Sequence, residues 1–544
     1  MTAKIIKPID NPQHISILFP TRGRSHYLQA LFDSIAKTTT VQSLIDVWIF
    51  IDDDDFVAKQ ALDEHIAADN YDFKIHYVFA PRTYAQGQMY NILRERCTTN
   101  PGIYMFVADK VLFVTPDWDV VVRETFDRYP DRILYAYINL DPSNPNIGYY
   151  GCVSAEWANI TGRLHTEFFP FWYDDTWINE VAIMGQSHTK LDIQLEYQGS
   201  FGVNKRLRNL HFWFRFYKNT AEERMQEAEL ILDTVFAENP KALAESKELM
   251  ITSAEMQMQL WNTLTDESLS LIEQTVQQAS LNEIAVTQIP AQQEFQSETV
   301  NPATAIPKST PFSDLYFVAE RQAIAHLKQK AERFIEQNRF SEAVALLDNI
   351  LFASQVPAGI HNLRAQCLRE MGDLWEAEQA ILKELEQTPQ DRESQELLDR
   401  IQQERLQALK LRDINLLIFP DWQQEEEARS QDVIQVISAL VRHPQSDRIT
   451  LLIETTGIEQ EDAEQFILGV MMLLALQEGQ EDTDLEISLT GNLSPTIWEV
   501  ILGRVAGRIV LPQENRAAIK AVAMEAIKTV SLDQLLFCPA FDST

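Results

Sequence analysis

The chain has 544 residues, 45% of them apolar, and a formal net charge of −34, so roughly three or four domains are expected, each able to bury a core. The acidic balance argues against a nucleic-acid partner, because phosphate backbones are held by Lys and Arg. Cys97, Cys152, Cys367 and Cys538 have no paired spacing, which points away from a zinc site or disulfide framework and towards free thiols in a reducing compartment.

The N-terminus MTAKIIKPID lacks an apolar core of signal-peptide length, and no run of about 18 apolar residues occurs. A soluble, cytoplasmic protein without a transmembrane segment is the expectation. Residues 14–19 (HISILF) read as a strand stopped by Pro20 and followed by Thr21-Arg22-Gly23-Arg24. In 27–36, Leu28, Leu31, Phe32 and Ile35 fall at helical spacing. A second strand, 47–51 (VWIFI), runs into Asp52-Asp53-Asp54-Asp55. Helix 57–68, strand 74–79 and helix 86–97 follow. The apolar run 103–107 then ends at Asp109, with Lys110 and a second apolar segment, 111–114, before the turn at Pro116. Strand and helix alternating through short links predict an α/β fold with a mostly parallel sheet, which binds ligands at the carboxyl ends of its strands.

Three of those ends carry charge: Arg22 and Arg24, then Asp52 to Asp55, then Asp109 and Lys110. Four adjacent acids are also the composition of a solvated turn. Here they end a buried strand, which favours a functional role for one or two of them.

ISILFPTRGR, VWIFIDDDD, IYMFVADKVLFVTPDWD and FWYDDTWINEVA, in that order, resemble the landmarks of GT-A-fold glycosyltransferases (family 2-like). The resemblance covers residues 14–219. It implies a nucleotide-diphosphate sugar as donor and an acceptor hydroxyl of unspecified kind. It also implies Asp52 and Asp53 on the nucleoside, with Pro20, Arg22, Arg24, Asn91 and Lys110 completing the nucleotide-binding set. Asp109 would hold a divalent cation, Mn or Mg, and Asp174 or Asp175 would be the general base. His211 in LHFWF is a further candidate metal ligand, and a structural histidine is the other reading of that position. A cation or positive side chains must stabilise the leaving diphosphate, and a carboxylate must take the acceptor's proton.

The chain departs from that pattern at Asp109-Lys110, where two acids are expected. A charged lysine cannot ligate a metal. The departure implies a weak metal requirement, with Lys110 supplying positive charge, or an impaired site. Arg82, Lys205, Arg206 and Arg208 are additional cations for phosphate. Aromatics are dense from Trp157 to Phe216, and most are expected in the core.

From residue 220 the composition turns helical, opened by Thr220 and Glu223 as a capping box. Residues 1–219 therefore read as the GT-A domain and 220–286 as a helical extension. The proline-rich stretch 287–313 reads as a flexible linker. In 314–408, Ala331, Phe334, Asn338, Ala343 and Leu347 recur with a period of 34 as Ala365, Leu368, Gly372, Ala377 and Ile381, which resembles tetratricopeptide repeats. Such arrays hold protein partners, and a spacer role is equally open. Residues 409–544 alternate strands INLLIFP, ITLLIET, LEISLTG and GRIVLP with helices 431–442, 462–477, 495–505 and 515–529. That is a Rossmann-like α/β pattern without a Gly-rich phosphate cradle. A non-enzymatic scaffold with a degenerate sugar-nucleotide binder is the competing reading, and Lys110 sustains it.

Overall fold

The computed structural model describes residues 6–140, 148–170, 172–198, 209–275, 312–478, 484–522 and 527–531. Lys205, Arg206, Arg208, Phe171, Cys538 and nearly all of the 287–313 stretch lie outside them. The chain divides into two units, 1–330 with 348–356 and 331–347 with 357–544. Among the described residues no helix is long and apolar enough to cross a membrane.

The first unit opens with β1 (Asn11–Thr21), α1 (Leu28–Thr38), β2 (Ile45–Asp52), α2 (Phe56–Ala68), β3 (Lys74–Ala80), α3 (Gln86–Arg96) and β4 (Pro101–Phe106). β1 lies between β2 and β4, parallel to both, with Ile17 opposite Val47 and Met105. Ile15, Ile17 and Phe19 are fully buried, as a strand covered on both faces requires. The expected stop at Pro20 is not observed. β1 continues to Thr21 with Pro20 opposite Phe50.

The chain goes on through β5 (Val111–Phe113), α4 (Trp118–Asp127), β6 (Tyr135–Ile138), β7 (Tyr150–Ser154), α5 (Ala155–Thr161), α6 (Asp174–Met184), β8 (His188–Lys190) and β9 (Leu195–Tyr197). The seven-stranded sheet has the order β3-β2-β1-β4-β7-β6-β8. β7 runs antiparallel to β4 and β6, so the sheet is mostly, not wholly, parallel.

Helices α7 (Leu210–Asn219), α8 (Ala221–Val235) and α9 (Pro240–Asn262) complete the unit's main run. The capping box does not form. Thr220 Oγ1 donates back to the carbonyls of Phe216 and Tyr217. Glu223 instead accepts from Lys330 Nζ at 3.0 Å and pairs with His326 at 2.8 Å. The Lys330 ammonium, with the His326 ring beside it, outcompetes a local backbone amide because the carboxylate is removed from water. Arg224, 2% exposed, pairs with Glu180 of α6 at 2.9 Å and lies over the Tyr217 ring at 3.9 Å. That ion pair ties the helices after residue 220 to the α/β core. The aromatics expected in the core are there: Trp157, Trp177, Trp213, Phe169 and Phe212 are buried, while Trp172 is exposed.

In the second unit, Asn338 (φ 58°) and Gly372 (φ 86°) occupy the same position of the 34-residue repeat and share the left-handed conformation. Arg339 N donates to Phe334 O and Asp373 N to Leu368 O, the same helix-ending turn 34 residues apart. The α/β part has β10 (Ile414–Ile418), β11 (Ile449–Ile453), β12 (Glu486–Leu489), β13 (Val505–Ile509) and β14 (Thr529–Val530), all parallel, in the order β12-β11-β10-β13-β14. The helix expected to reach residue 529 stops at Ala521, and Thr529 enters the sheet.

Residues 348–356 return to the first unit. Asn349 Nδ2 donates to Phe212 O at 3.1 Å, Asn209 Nδ2 to Phe352 O at 2.7 Å, and Ser354 N to Glu320 at 3.0 Å. Each such bond contributes about 1 kcal/mol, so a fragment 1–347 is expected to melt at least about 5 °C below a fragment 1–356. Differential scanning calorimetry of the two checks this. Equal melting temperatures would mean the returning segment adds nothing.

Candidate active site

Each parallel strand of the first sheet delivers its carboxyl end to one edge. At the end of β1, Arg22 donates to Asp52 Oδ2 at 2.7 Å and forks onto Asp54, with Nη2 to Oδ2 at 2.7 Å. Arg82 Nε lies 3.6 Å from Asp52. Burial pushes the Asp52 carboxyl above its ordinary range, although Arg22 and Arg82 pull it down. Asp55 caps α2 by accepting from Ala58 N and also accepts from Gly23 N. Of the four acids, Asp53 alone has no side-chain partner among the described residues, and only its backbone is bonded, to Ala80 O. The run is thus divided by role: two acids hold Arg22, one caps a helix and one is free.

At the end of β4, Asp109 is 2% exposed. One carboxylate oxygen accepts from Thr21 Oγ1 at 2.9 Å, the other from Arg24 Nη1 at 3.3 Å. Burial raises its pKa against the pull of Arg24, Thr21 and Lys110. The Lys110 ammonium stands 5.4 Å from the Tyr27 ring centroid. Its carbonyl accepts from Gln198 N, and the Gln198 amide donates to Tyr27 O. A buried acid flanked by a half-exposed guanidinium and an ammonium suits an anion that contacts both cations. It does not fit a dication. The donor set is one carboxylate whose two oxygens already accept hydrogen bonds, and two like charges stand beside it. Among the described residues no three His, Cys, Asp or Glu side chains cluster as a metal site.

Asp174 and Asp175 begin α6, entered through Trp172 (φ 45°) and Tyr173 (φ 67°). Two successive left-handed non-glycine residues are a strained entry, and they bring both acids onto the first turn. Asp175 accepts from Thr176 N at 2.7 Å. Burial pushes both carboxyls upward, and the Asp175 charge raises Asp174 further. The phenol of Tyr90, 3% exposed, feels the charges of both Asp174 and Asp109 after the larger effect of burial. Its hydroxyl donates to Val107 O, just past the end of β4, at 3.3 Å. Neither Tyr90 nor Thr21 carries a signal in the sequence, since neutral side chains gain meaning here only from their neighbours.

Asn91 has both amide groups engaged inside the domain. Its Nδ2 donates to His165 O and Glu167, and its Oδ1 accepts from Leu164 N and His165 N. Gly87, one turn earlier on α3, leaves room for Thr166 O, which would stand 1.9 Å from a Cβ there. α3 thus seats the 164–167 loop. His211 bonds Ser270 Oγ at 3.0 Å and lies 3.5 Å from Asp266. None of these partners comes from the strand ends. Pro20 sits on the sheet ladder beside Phe50.

No protein-family model and no curated protein matches the chain. Among solved structures, it is similar to the mannosyltransferase PcManGT from Pyrobaculum calidifontis in complex with GDP-Man and Mn2+. Identity is 12% over 52% of this chain and 92% of that one, with a TM-score of 0.30. It is also similar to S. aureus TarS 1-349 in complex with UDP-GlcNAc, at 11% identity over 49% and 88% of the two chains, TM-score 0.32. Both identity and TM-score are low, so function is argued from this chain's own residues.

A carboxyl whose folded pKa is raised favours the fold only while protonated. Its cost is absent below the unfolded value and fully present above the folded one, which for Asp174 is about 7. Asp174→Asn is therefore expected to leave stability nearly unchanged at pH 4 and to raise it by about 1 kcal/mol or more at pH 8. Denaturant melts across that range test this. A pH-independent difference would mean that Asp174 is solvated.

Proposed function

We propose that the first unit is a glycosyltransferase that binds a nucleotide-diphosphate sugar at the carboxyl ends of β1, β2 and β4. The observation that carries this reading is the division of charge along that edge: a free Asp53, a cation pair Arg24 and Lys110 around buried Asp109, and proton-accepting Asp174 and Asp175 beyond Tyr90. Asp53 would accept hydrogen bonds from the nucleoside, and Arg24 and Lys110 would take the diphosphate. Asp109 would then keep Arg24 in place as a positioning residue.

The reaction follows from those roles. The acceptor hydroxyl gives its proton to Asp174 or Asp175, its oxygen bonds to the anomeric carbon, and the bond from that carbon to the diphosphate oxygen breaks. The charge left on the diphosphate falls between Arg24 and Lys110. A base with a raised pKa is well matched to neutral pH. Exposed Trp172, next to the acids, offers a ring face on which an acceptor sugar can stack. Because the donor set around Asp109 does not suit a dication, no step is routed through one.

The scaffold reading draws on Arg22, whose pairing with Asp52 and Asp54 fills part of the nucleoside end. Under it, nucleotide would bind without turnover. The helix pairs of the second unit would serve either reading as a partner-binding array or a spacer.

Calorimetric titration with UDP- and GDP-sugars separates these. Lys110→Ala and Asp53→Ala should each weaken binding about 10-fold or more, the loss of a charged hydrogen bond. EDTA and Mn2+ should give affinities within about 3-fold of each other. Asp174→Asn should lower turnover at least about 100-fold at unchanged affinity, unless Asp175 is the base, in which case Asp175→Asn carries that loss. Binding that needs Mn2+ and ignores Lys110→Ala would sink the cation assignment. Nucleotide binding without transfer or donor hydrolysis would favour the scaffold.

A further inference from the structure

The second unit's α/β part contains a cavity of about 360 Å³. Its position is informative. From β10 the chain moves to β11 and β12 on one side, then returns to place β13 and β14 on the other. The order therefore reverses between β10 and β13, and open parallel sheets take ligands at the carboxyl ends beside such a reversal. The cavity is lined by Asp421 and Trp422 after β10, Thr456 after β11, and Asn515 with Ala517 and Ala521 after β13. All three strands meeting at the reversal thus contribute to one hollow, of a size ordinary for small-molecule sites.

The lining limits the ligand. Among the described residues no Lys or Arg side chain borders the cavity, and the helix Arg516–Ala521 is too short to supply an anion site from its amino end. A phosphate or carboxylate therefore has no counter-charge there. Asp421 and Thr456 offer a carboxylate and a hydroxyl, groups that exchange hydrogen bonds with hydroxyls, beside the methyl groups of Ala517 and Ala521, while Asn515 is held in the wall by accepting from Ala518 N and donating to Thr456 O.

Behind this wall Glu454, 1% exposed, organises two of the lining residues. It accepts from Thr456 N at 2.8 Å through its side chain and from Trp422 Nε1 at 2.9 Å through its carbonyl. Its Oε2 is buried without a hydrogen-bond partner. Glu454 does not itself line the cavity, so its part is to hold Trp422 and Thr456 in the wall.

We infer that this cavity is a second binding site, separate from the β1–β4 edge, for an uncharged polyhydroxylated ring. Such a ring comes from a neutral saccharide or from the ribose of a nucleoside. Both present adjacent hydroxyls to Asp421 and Thr456 and an apolar face to the alanines. The site is distinct from the proposed transfer reaction and stands if that reaction fails.

The test uses the full chain. Saturation-transfer NMR and calorimetry would be run with neutral mono- and disaccharides, with adenosine and uridine, and with inorganic phosphate. Saccharide or nucleoside is expected to bind in a way that Ala521→Phe weakens, whereas any phosphate binding, at Arg24 and Lys110, is expected to be indifferent to that variant, and the arm that responds identifies the source. Ala521→Phe, which fills the cavity from an exposed position, and Asp421→Ala should each weaken that binding at least 10-fold. The nucleoside arms are run on Asp53→Ala, so that the nucleoside contact proposed in the first unit does not contribute. Circular dichroism confirms that each variant is folded. The inference is overturned if no neutral ligand binds, if phosphate binding is what Ala521→Phe weakens, or if Ala521→Phe and Asp421→Ala bind as the native chain does.

Discussion

The placement of β1 between two parallel neighbours constrains everything that follows in the first unit. Ile15, Ile17 and Phe19 are buried to nothing, and their register fixes Thr21 opposite Ile51 and Leu18 opposite Phe106. A slip of one residue would turn every side chain to the opposite face, and a strand buried on both sides cannot absorb that change. With the register fixed, the segments after β1, β2 and β4 emerge together. Arg22 then meets Asp52, and Arg24 and Thr21 meet Asp109, across distances of 30 to 88 residues in sequence. The site is a consequence of sheet packing more than of any local motif.

That dependence explains what could be read in the sequence. The apolar runs of β1, β2 and β4 and the charges that end them were legible, because a buried parallel strand writes itself as consecutive apolar residues. The 34-residue period was legible too, and Asn338 and Gly372 show its physical basis in a shared left-handed turn. Strands β6, β8 and β9 were not legible. They have three or four residues each and include Tyr, His, Glu and Lys, so pairing with neighbours defines them and periodicity does not. Thr220 and Glu223 fit a local rule that lost to Lys330 and His326. Asn91 was read as nucleotide-binding, yet its amide groups are taken by the 164–167 loop. A polar residue on a helix gives no sign in sequence of which neighbour will claim it.

The two edges of the same sheet treat the same residue type in opposite ways. At the amino edge Asp46 is buried, and burial alone would raise its pKa. His14, Ser16 and Trp48 outweigh that effect with hydrogen bonds, and the carboxyl is held below its ordinary range. At the carboxyl edge burial prevails over Arg22 at Asp52 and over Arg24 at Asp109, and both are raised. Asp174 and Asp175 are raised as well, with few donors of their own. A fold built only for stability would satisfy each edge as it does Asp46. Acids whose burial outweighs the donors and cations around them are costly, and groups perturbed in that way gather at functional sites. The contrast of Asp46 with Asp52 and Asp109, on one sheet and under one set of packing rules, supports the carboxyl edge as the proposed site on grounds independent of any resemblance to other proteins.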